Sequence, residues 1–492
     1  MKKKLIKKPI YTKVLLVVFL MLIVNFFNNF FNIADPDYFW HYKAGEYIAE
    51  NKVVPAHDIF SFTMPSFAWV DHEWLSDTGL YAIEKNFGEV SLSFFYLLLF
   101  GGIIFFSLNK KKLNILDGVI AIVGVGAIAG YLGVRQQMYS FLFFAITLFI
   151  LKLKNEKLLW FLPIVFLAWA NLHGGFVIGL FALVVIFGEK IYRLVREKKN
   201  PYKLIAIFSL SLLATFANPY GTRIYEEVFR TVGDNYLSSH IREWLPFFDF
   251  IQVRFLIFIA IFLSFLPEIK KRMPFGHLIL LAVLFVLSLK SVKYIPFFVI
   301  ASIPALLDLT SVYLDEAHRK FYRKVVLKPA FYPIMAASFL VLFFFVFPGG
   351  ISKESIAIKY PNKAIPFLEK RTEKNVFAFY GWAGFLIKNL PEKKYFIDGR
   401  MPSWKQGQVY AFKDYIDATA CKRTEEILDE NNVGLIVWPA REEKTSGTVS
   451  IKNIFGYFQR KNNERGCSFK EEISKNSWKI IYNDGDTLVF KK

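Results

Sequence analysis

Two cysteines in 492 residues exclude a disulfide-rich scaffold, and the absence of a C-x-x-C pair removes the usual redox and zinc-ribbon motifs. Both, Cys421 and Cys467, fall in the polar C-terminal part, where they either pair, if that part lies outside the cytosol, or stay free. Histidine is scarce at 7 residues, and no Cys/His cluster has metal-ligand spacing. His72-Glu73 does not extend to H-E-x-x-H, because Ser76 stands where the second histidine is needed, so a zincin is excluded. No metal and no cofactor are expected. Internal repeats and long low-complexity runs are missing, and so is any N-x-[ST] acceptor, which favours a prokaryotic protein. Acidic residues number 41 against 61 basic ones, a formal charge of +20. The basic residues cluster in short runs between apolar segments, without a nucleic-acid motif. That distribution marks membrane topology, and no nucleic acid is expected as a partner.

Apolar sequence is what the chain has in excess: 54% of residues are hydrophobic, 55 are phenylalanine, and the mean hydropathy is positive. No soluble domain needs that much. The expected fold is mainly α, a polytopic helical bundle in the membrane. Apolar segments fall at 14–31, 90–108, 115–133, 137–151, 158–172, 175–192, 203–217, 251–267, 275–289, 294–310 and 331–347, about eleven spans at roughly 20 residues each, several of them short. The first is too long for a signal peptide and lacks a small-residue cleavage site, so it reads as an uncleaved span. Basic runs such as Lys110-Lys111-Lys112 and Lys270-Lys271-Arg272 occupy every second connection. The positive-inside rule then puts the N-terminus inside. The first loop (32–74), the second large loop (218–250) and everything after the last span lie outside. Residues 1–347 thus form the transmembrane domain, and 348–492 a small extracytoplasmic α/β domain. Strands are expected at 375–380, 394–397 and 433–438, helices at 361–370, 382–390 and 424–431, and a hairpin around Asn483-Asp484-Gly485-Asp486.

The first outer loop is where chemistry is expected, because it is rich in carboxylates and aromatics at a membrane surface. In Asp35-Pro36-Asp37, Asp35 suits an N-cap and Pro36 the first helical position. The same residues place a carboxylate at a helix start, well placed as a general base. Asp37 and His41 are four apart and share a helix face. Asp71, His72 and Glu73 stand between Trp69 and Trp74, either capping an interfacial helix over 75–87 or handling substrate. Asn171 and His173, beside Gly174-Gly175, lie at a membrane edge, where polar groups need partners. Arg135, Arg242, Lys290 and Lys293 are the few outer basic residues. Each is explained by snorkelling, and together they suit a lipid phosphate. In the C-terminal part, the aromatic stretch 379–385 and Asp398-Gly399-Arg400 stand out, the last as a structural ion pair or an acceptor contact.

DPDYFWHYKAGEYI, VPAHDIFSFT, WVDHEWL, WANLHGGF, NPYG, GWAGFLI and FIDGR, in that order among many spans, resemble a group of bacterial multi-pass membrane glycosyltransferases. These are distant relatives of the GT-C superfamily, which includes the protein mannosyltransferases and the aminoarabinose transferase. The resemblance implies sugar transfer from a polyprenyl-phosphate-linked donor to a glycan, lipid or protein acceptor. It implies that Asp35 or Asp37 is the base and that outer basic residues hold the carrier's phosphate; Arg135 and Lys293 are the candidates by topology, and Asp71 is a further candidate base. His41, His72, Glu73, His173 and Arg242 complete the expected substrate contacts. Membrane lipids are the remaining expected partner, and the cell membrane the expected location. A lipid-linked glycan flippase and a polysaccharide polymerase or ligase are the alternatives.

Overall fold

Alternating apolar runs and Gly/Pro/Asn punctuation build two different kinds of structure in this chain. A computed structural model describes residues 35–108, 113–321, 360–440 and 468–492. The expected first and last spans and Cys467 lie outside the described residues. The chain divides into two compact units. The first, the helical unit, contains Ser93–Ala217 and the chain from Gln252 to beyond the last described helix. The second, the mixed unit, is assembled from three separate stretches, Ala34–Leu92, Asn218–Ile251 and Ile356–Lys492.

In the helical unit, Glu89–Ser107 and Val292–Thr310 are each long and apolar enough to cross a bilayer. Leu116–Tyr131, Gln137–Lys152, Tyr202–Ala214, Val253–Ser264 and Phe275–Lys290 are apolar helices of 10–17 residues. Several apolar segments therefore form helices shorter than the segments themselves. Composition counts apolar residues whatever their backbone state. The 158–172 segment, for example, opens as a 3-10 turn and becomes α-helical only over Leu162–Leu172. Phe94, Leu98, Phe105, Ile164, Leu213 and Val286 are exposed. So many large apolar side chains turned outward on apolar helices suit a lipid environment.

Polar contacts tie the helix ends of this unit into two sets. Lys152 pairs with Asp308 at 2.8 Å and Lys203 with Glu156 at 2.9 Å, while Gly276 N–H donates to Glu189 at 2.8 Å. At the opposite helix ends, the Tyr96 hydroxyl donates to Gln136 at 2.7 Å and Asn171 donates to the Ala217 carbonyl at 2.9 Å.

The mixed unit is a five-stranded sheet with helices. The strands are β1 (Asn375–Ala378), β2 (Lys394–Tyr395), β3 (Leu435–Pro439), β4 (Lys479–Asn483) and β5 (Thr487–Lys491), in the order β2-β1-β3-β5-β4. β1 pairs in parallel with β2 and β3, while β5 runs antiparallel to β3 and β4. The sequence places all five strands, because short β-rich runs bounded by turn residues announce them. Helices form over Ala383–Asn389 and Thr424–Glu430, also as the sequence indicates. Cys421 is disulfide-bonded.

Two further helices belong to this unit: α1 (Tyr38–Asn51), in the first loop, and α2 (Trp74–Phe87), which follows it. Between them, Ser61 makes a parallel bridge to Tyr395, extending the sheet beyond β2. Phe62 N–H donates to the Tyr395 carbonyl at 3.2 Å, and Tyr395 N–H donates to the Phe60 carbonyl at 3.0 Å. Trp40, Met64, Phe67 and Trp69 enter one core with Phe377, Trp382, Leu386 and Trp404. Phe67 stacks on Trp404 at 4.4 Å between ring centres. The first loop is therefore part of the α/β core.

A buried ion triad joins the same stretches. Arg400 bonds Asp398 at 2.6 Å and Asp58 at 2.7 Å, with its side chain only 2% exposed. Its guanidinium lies 4.4 Å from the Trp69 ring and 4.6 Å from Phe60. Removing one member of a buried ion group leaves a charge without compensation, at about 3–5 kcal/mol. We expect Arg400→Met to lower the melting temperature of the purified protein and to open the mixed unit to limited proteolysis. The triple change Asp58→Asn, Asp398→Asn, Arg400→Met should recover most of the loss. Thermal unfolding followed by proteolysis of both variants checks this.

Candidate active site

The DPD motif divides its labour between its two carboxylates. Asp35 Oδ1 accepts the Asp37 backbone N–H at 3.0 Å, so Asp35 folds the turn into α1. The helix begins at Tyr38, and Asp37, at its N-cap, makes no capping bond with its side chain. Its Oδ1 accepts instead from Trp40 Nε1 at 3.0 Å. The expected capping role thus falls to Asp35, and Asp37 is left for other work. A Cβ on Gly399 would overlap Asp37 Oδ1, so the Asp398-Gly399-Arg400 turn meets this carboxylate at van der Waals distance.

One turn along α1 from Asp37, His41 is buried and faces α2. Gly45, a further turn on, has no side chain to spare, since a Cβ there would overlap the Asp77 carbonyl. This close crossing of α1 and α2 brings His41 Nδ1 to 2.7 Å from Asp77 Oδ1. His41 Nε2 is 3.8 Å from Glu73 Oε2. Asp71 completes the group. Its Oδ1 accepts the Glu73 N–H at 3.2 Å, and its Oδ2 is buried without a hydrogen bond among the described residues.

Four carboxyls around one imidazole, largely shielded from water, cannot all ionise at their ordinary pH. Loss of hydration pushes Asp37 up to about 7, with Asp35 and Glu243 adding to the rise and His41 opposing it. Burial likewise pushes Glu73 up to about 8, again opposed by His41 and reinforced by Asp77, Asp71 and Asp37. Asp71 is raised well above the carboxylate range by burial and then by Asp77, against His41 and Arg400. Near neutral pH the site therefore holds protons on carboxyls, and Asp37 is poised to gain or lose one. No group of three or more His, Cys, Asp or Glu side chains is arranged to hold a metal ion among the described residues.

The sequence-derived candidates separate by unit. Asp35, Asp37, His41, Asp71 and Glu73 come together in the mixed unit. His72 and Arg242 belong to the same unit, and the Arg242 guanidinium lies 4.4 Å over the Phe250 ring. It is the adjacent Glu243 whose charge acts on Asp37. Arg135, His173 and Lys293 belong to the helical unit. There, His173 Nδ1 accepts Gly175 N–H at 2.9 Å and lies 2.8 Å from Ser140 Oγ. Ser140 in turn accepts from Trp169 Nε1 at 2.7 Å. Lys293 Nζ lies 5.0 Å over the Tyr294 ring. Sequence reasoning missed Asp77. The available signal was a carboxylate on the same helical face as Leu80 and Tyr81, both buried. It also missed Gly399, whose need appears only when Asp37 is packed against it.

No protein-family model matches the chain, and no curated protein matches it by sequence. Its fold is similar to that of the oligosaccharyltransferase of Archaeoglobus fulgidus. The apo crystal structure of that protein superposes with a TM-score of 0.51 at 11% identity, covering 89% of this chain and 70% of the other. The same organism's oligosaccharyltransferase AglB, in complex with an inhibitory peptide and a dolichol-phosphate, gives a TM-score of 0.52 at 12% identity, covering 88% and 70%. The likeness is one of fold.

The raised carboxyls carry a pH signature. Unfolded, Glu73 loses its proton near 4.5; folded, it keeps it to about 8. Across that window the folded state binds the extra proton, so Glu73's contribution to stability falls as pH rises and is lost above about 8. Glu73→Gln removes this term. We expect it to gain stability relative to wild type by at least ~1.4 kcal/mol between pH 5.5 and pH 8.5, one pKa unit's worth. Thermal melts of both proteins at the two pH values check it.

Proposed function

We propose that the protein is a multi-pass membrane glycosyltransferase of the GT-C type. In this proposal it moves a sugar from a polyprenyl-phosphate-linked donor to an extracytoplasmic glycan, lipid or protein acceptor, with Asp37 as the base. The observation that carries the proposal is a first-loop carboxylate with no capping duty, pushed up to about 7. A base works best when its pKa lies near the operating pH. The fold similarity to AglB, a protein whose structure contains a dolichol-phosphate, supports a lipid-phosphate carrier.

Asp37 takes the proton of the acceptor hydroxyl as that oxygen bonds the sugar's anomeric carbon. The bond from that carbon to the phosphate oxygen breaks, and its electron pair leaves with the carrier phosphate. Positive charge is needed for that leaving group; Arg135 and Lys293 are the candidates for it, and His173 and Arg242 are candidate substrate contacts. Asp71 and Glu73, protonated near neutrality, suit hydrogen-bond donation to sugar oxygens. His72 is a candidate substrate contact.

About eleven spans with the N-terminus inside remain the proposed topology. The two sets of helix-end contacts in the helical unit support it. Each joins ends that the alternation of basic connections puts on one side. The disulfide at Cys421 supports an extracytoplasmic mixed unit, since disulfides persist in oxidising compartments.

The test is transfer of radiolabelled sugar in membranes containing the protein, across a panel of polyprenyl-phosphate sugars. Asp37→Asn should lower the rate by about 10²-fold or more at unchanged expression, and Asp35→Asn by much less. Transfer indifferent to Asp37→Asn would remove the base role and leave the motif a helix start. Absence of transfer from every donor would favour a flippase or a polymerase.

A further inference from the structure

Asp77 is fully buried, and its Oδ1 meets His41 Nδ1 at 2.7 Å. A carboxylate in the first turn of a helix is ordinarily explained by the helix dipole, which favours negative charge there. That accounts for its place in α2 but not for its burial. It is aimed across the helix crossing at another side chain, and the crossing is close because Gly45 leaves room for the Asp77 backbone. The imidazole it meets is confined on its other faces too. The Trp40 ring lies 3.6 Å away between centres and is tilted by 30°. Glu73 faces the second ring nitrogen at 3.8 Å.

We propose that Asp77 is a positioning residue: by holding His41 Nδ1–H it fixes the tautomer and orientation of the imidazole beside Asp37. The proposal deepens the reading of Asp37 as base and rests on it. Of the carboxyls on which His41 acts or which it meets, Asp37 precedes α1, Asp77 comes from α2, and Asp71 and Glu73 come from the loop that precedes α2. Asp37 is faced in addition by Asp35, by Glu243 of the second loop, and by Tyr360 and Tyr380. Among all of these, His41 is the one named group that opposes the rise of Asp37, Asp71 and Glu73 alike.

The sign of the effect follows. His41 opposes the rise of Asp37, so an imidazole held in place by Asp77 favours ionised Asp37. Asp77→Asn withdraws the carboxylate from Nδ1 and with it the support of the imidazole that opposes the rise of Asp37, so Asp37 keeps its proton to higher pH.

Two readouts test this on the full-length protein. In the pH–rate profile of sugar transfer, the acid limb should move up by about one pH unit in Asp77→Asn and in His41→Gln. It should move no further in the double variant. Independently of transfer, infrared difference spectra of the protein in lipid should show a protonated-carboxyl band that vanishes in Asp37→Asn. The titration midpoint of that band should rise in Asp77→Asn and in His41→Gln. A midpoint unmoved in the folded variants would overturn the proposal even if the rate fell, because a purely structural contact lowers the rate without moving the limb. Lack of transfer in the wild type would count against the glycosyltransferase assignment and leave the infrared result to decide the role of Asp77. If Asp77→Asn does not fold, His41→Gln alone decides: an unchanged midpoint there removes the imidazole from the chain of effect.

Discussion

At Gly399 and Gly45 the volume that a Cβ would fill is already taken, by the Asp37 carboxylate in one case and the Asp77 backbone in the other. These two close approaches set the position of Asp37 and Asp77 on either side of His41. The first presses a turn of the C-terminal part onto the head of α1. The second draws α1 and α2 together until His41 and Asp77 are within hydrogen-bond distance. Without them the carboxyls of the first loop would stand in water and titrate as ordinary acids.

Burial of that much negative charge is unfavourable, and the structure offsets it in two ways. One is chemical: carboxyls stripped of water hold their protons, so Glu73 and Asp71 stay neutral where exposed acids ionise. The other is geometric. His41 stands among them as the one base, while Arg400, bound to Asp58 and Asp398, supplies positive charge close enough to act on Asp71. The same guanidinium packs on the aromatic rings of the first loop, so the residues that shape the electrostatics also hold the core together.

Much of this was legible in the residues. The strands of the small sheet, its helices and its hairpin follow from short β-rich runs and turn chemistry, which act over a few residues. The acidic first loop announced itself through Asp35, Asp37, His41, Asp71 and Glu73, and those residues do meet. The i,i+4 spacing of Asp37 and His41 was enough to place them on one face. Helix lengths in the apolar part were less legible, since apolar composition does not say where a helix gives way to a 3-10 turn, as it does before Leu162. Asp77 was hidden for another reason: its partner is 36 residues away in sequence, and spacing rules do not reach that far.

The sequence by itself determined the apolar helices, the small α/β part and the carboxylate-rich loop, because each depends on local composition and periodicity. Only the tertiary structure decided that three distant stretches fold as one unit and that Asp35 turns the chain while Asp37 is spared. It alone gave His41 a buried carboxylate on one nitrogen and another facing the second. The physical reason is that pKa values and close approaches are properties of neighbourhoods. A neighbourhood built from residues near 37, 77, 243 and 400 exists only once the chain has folded.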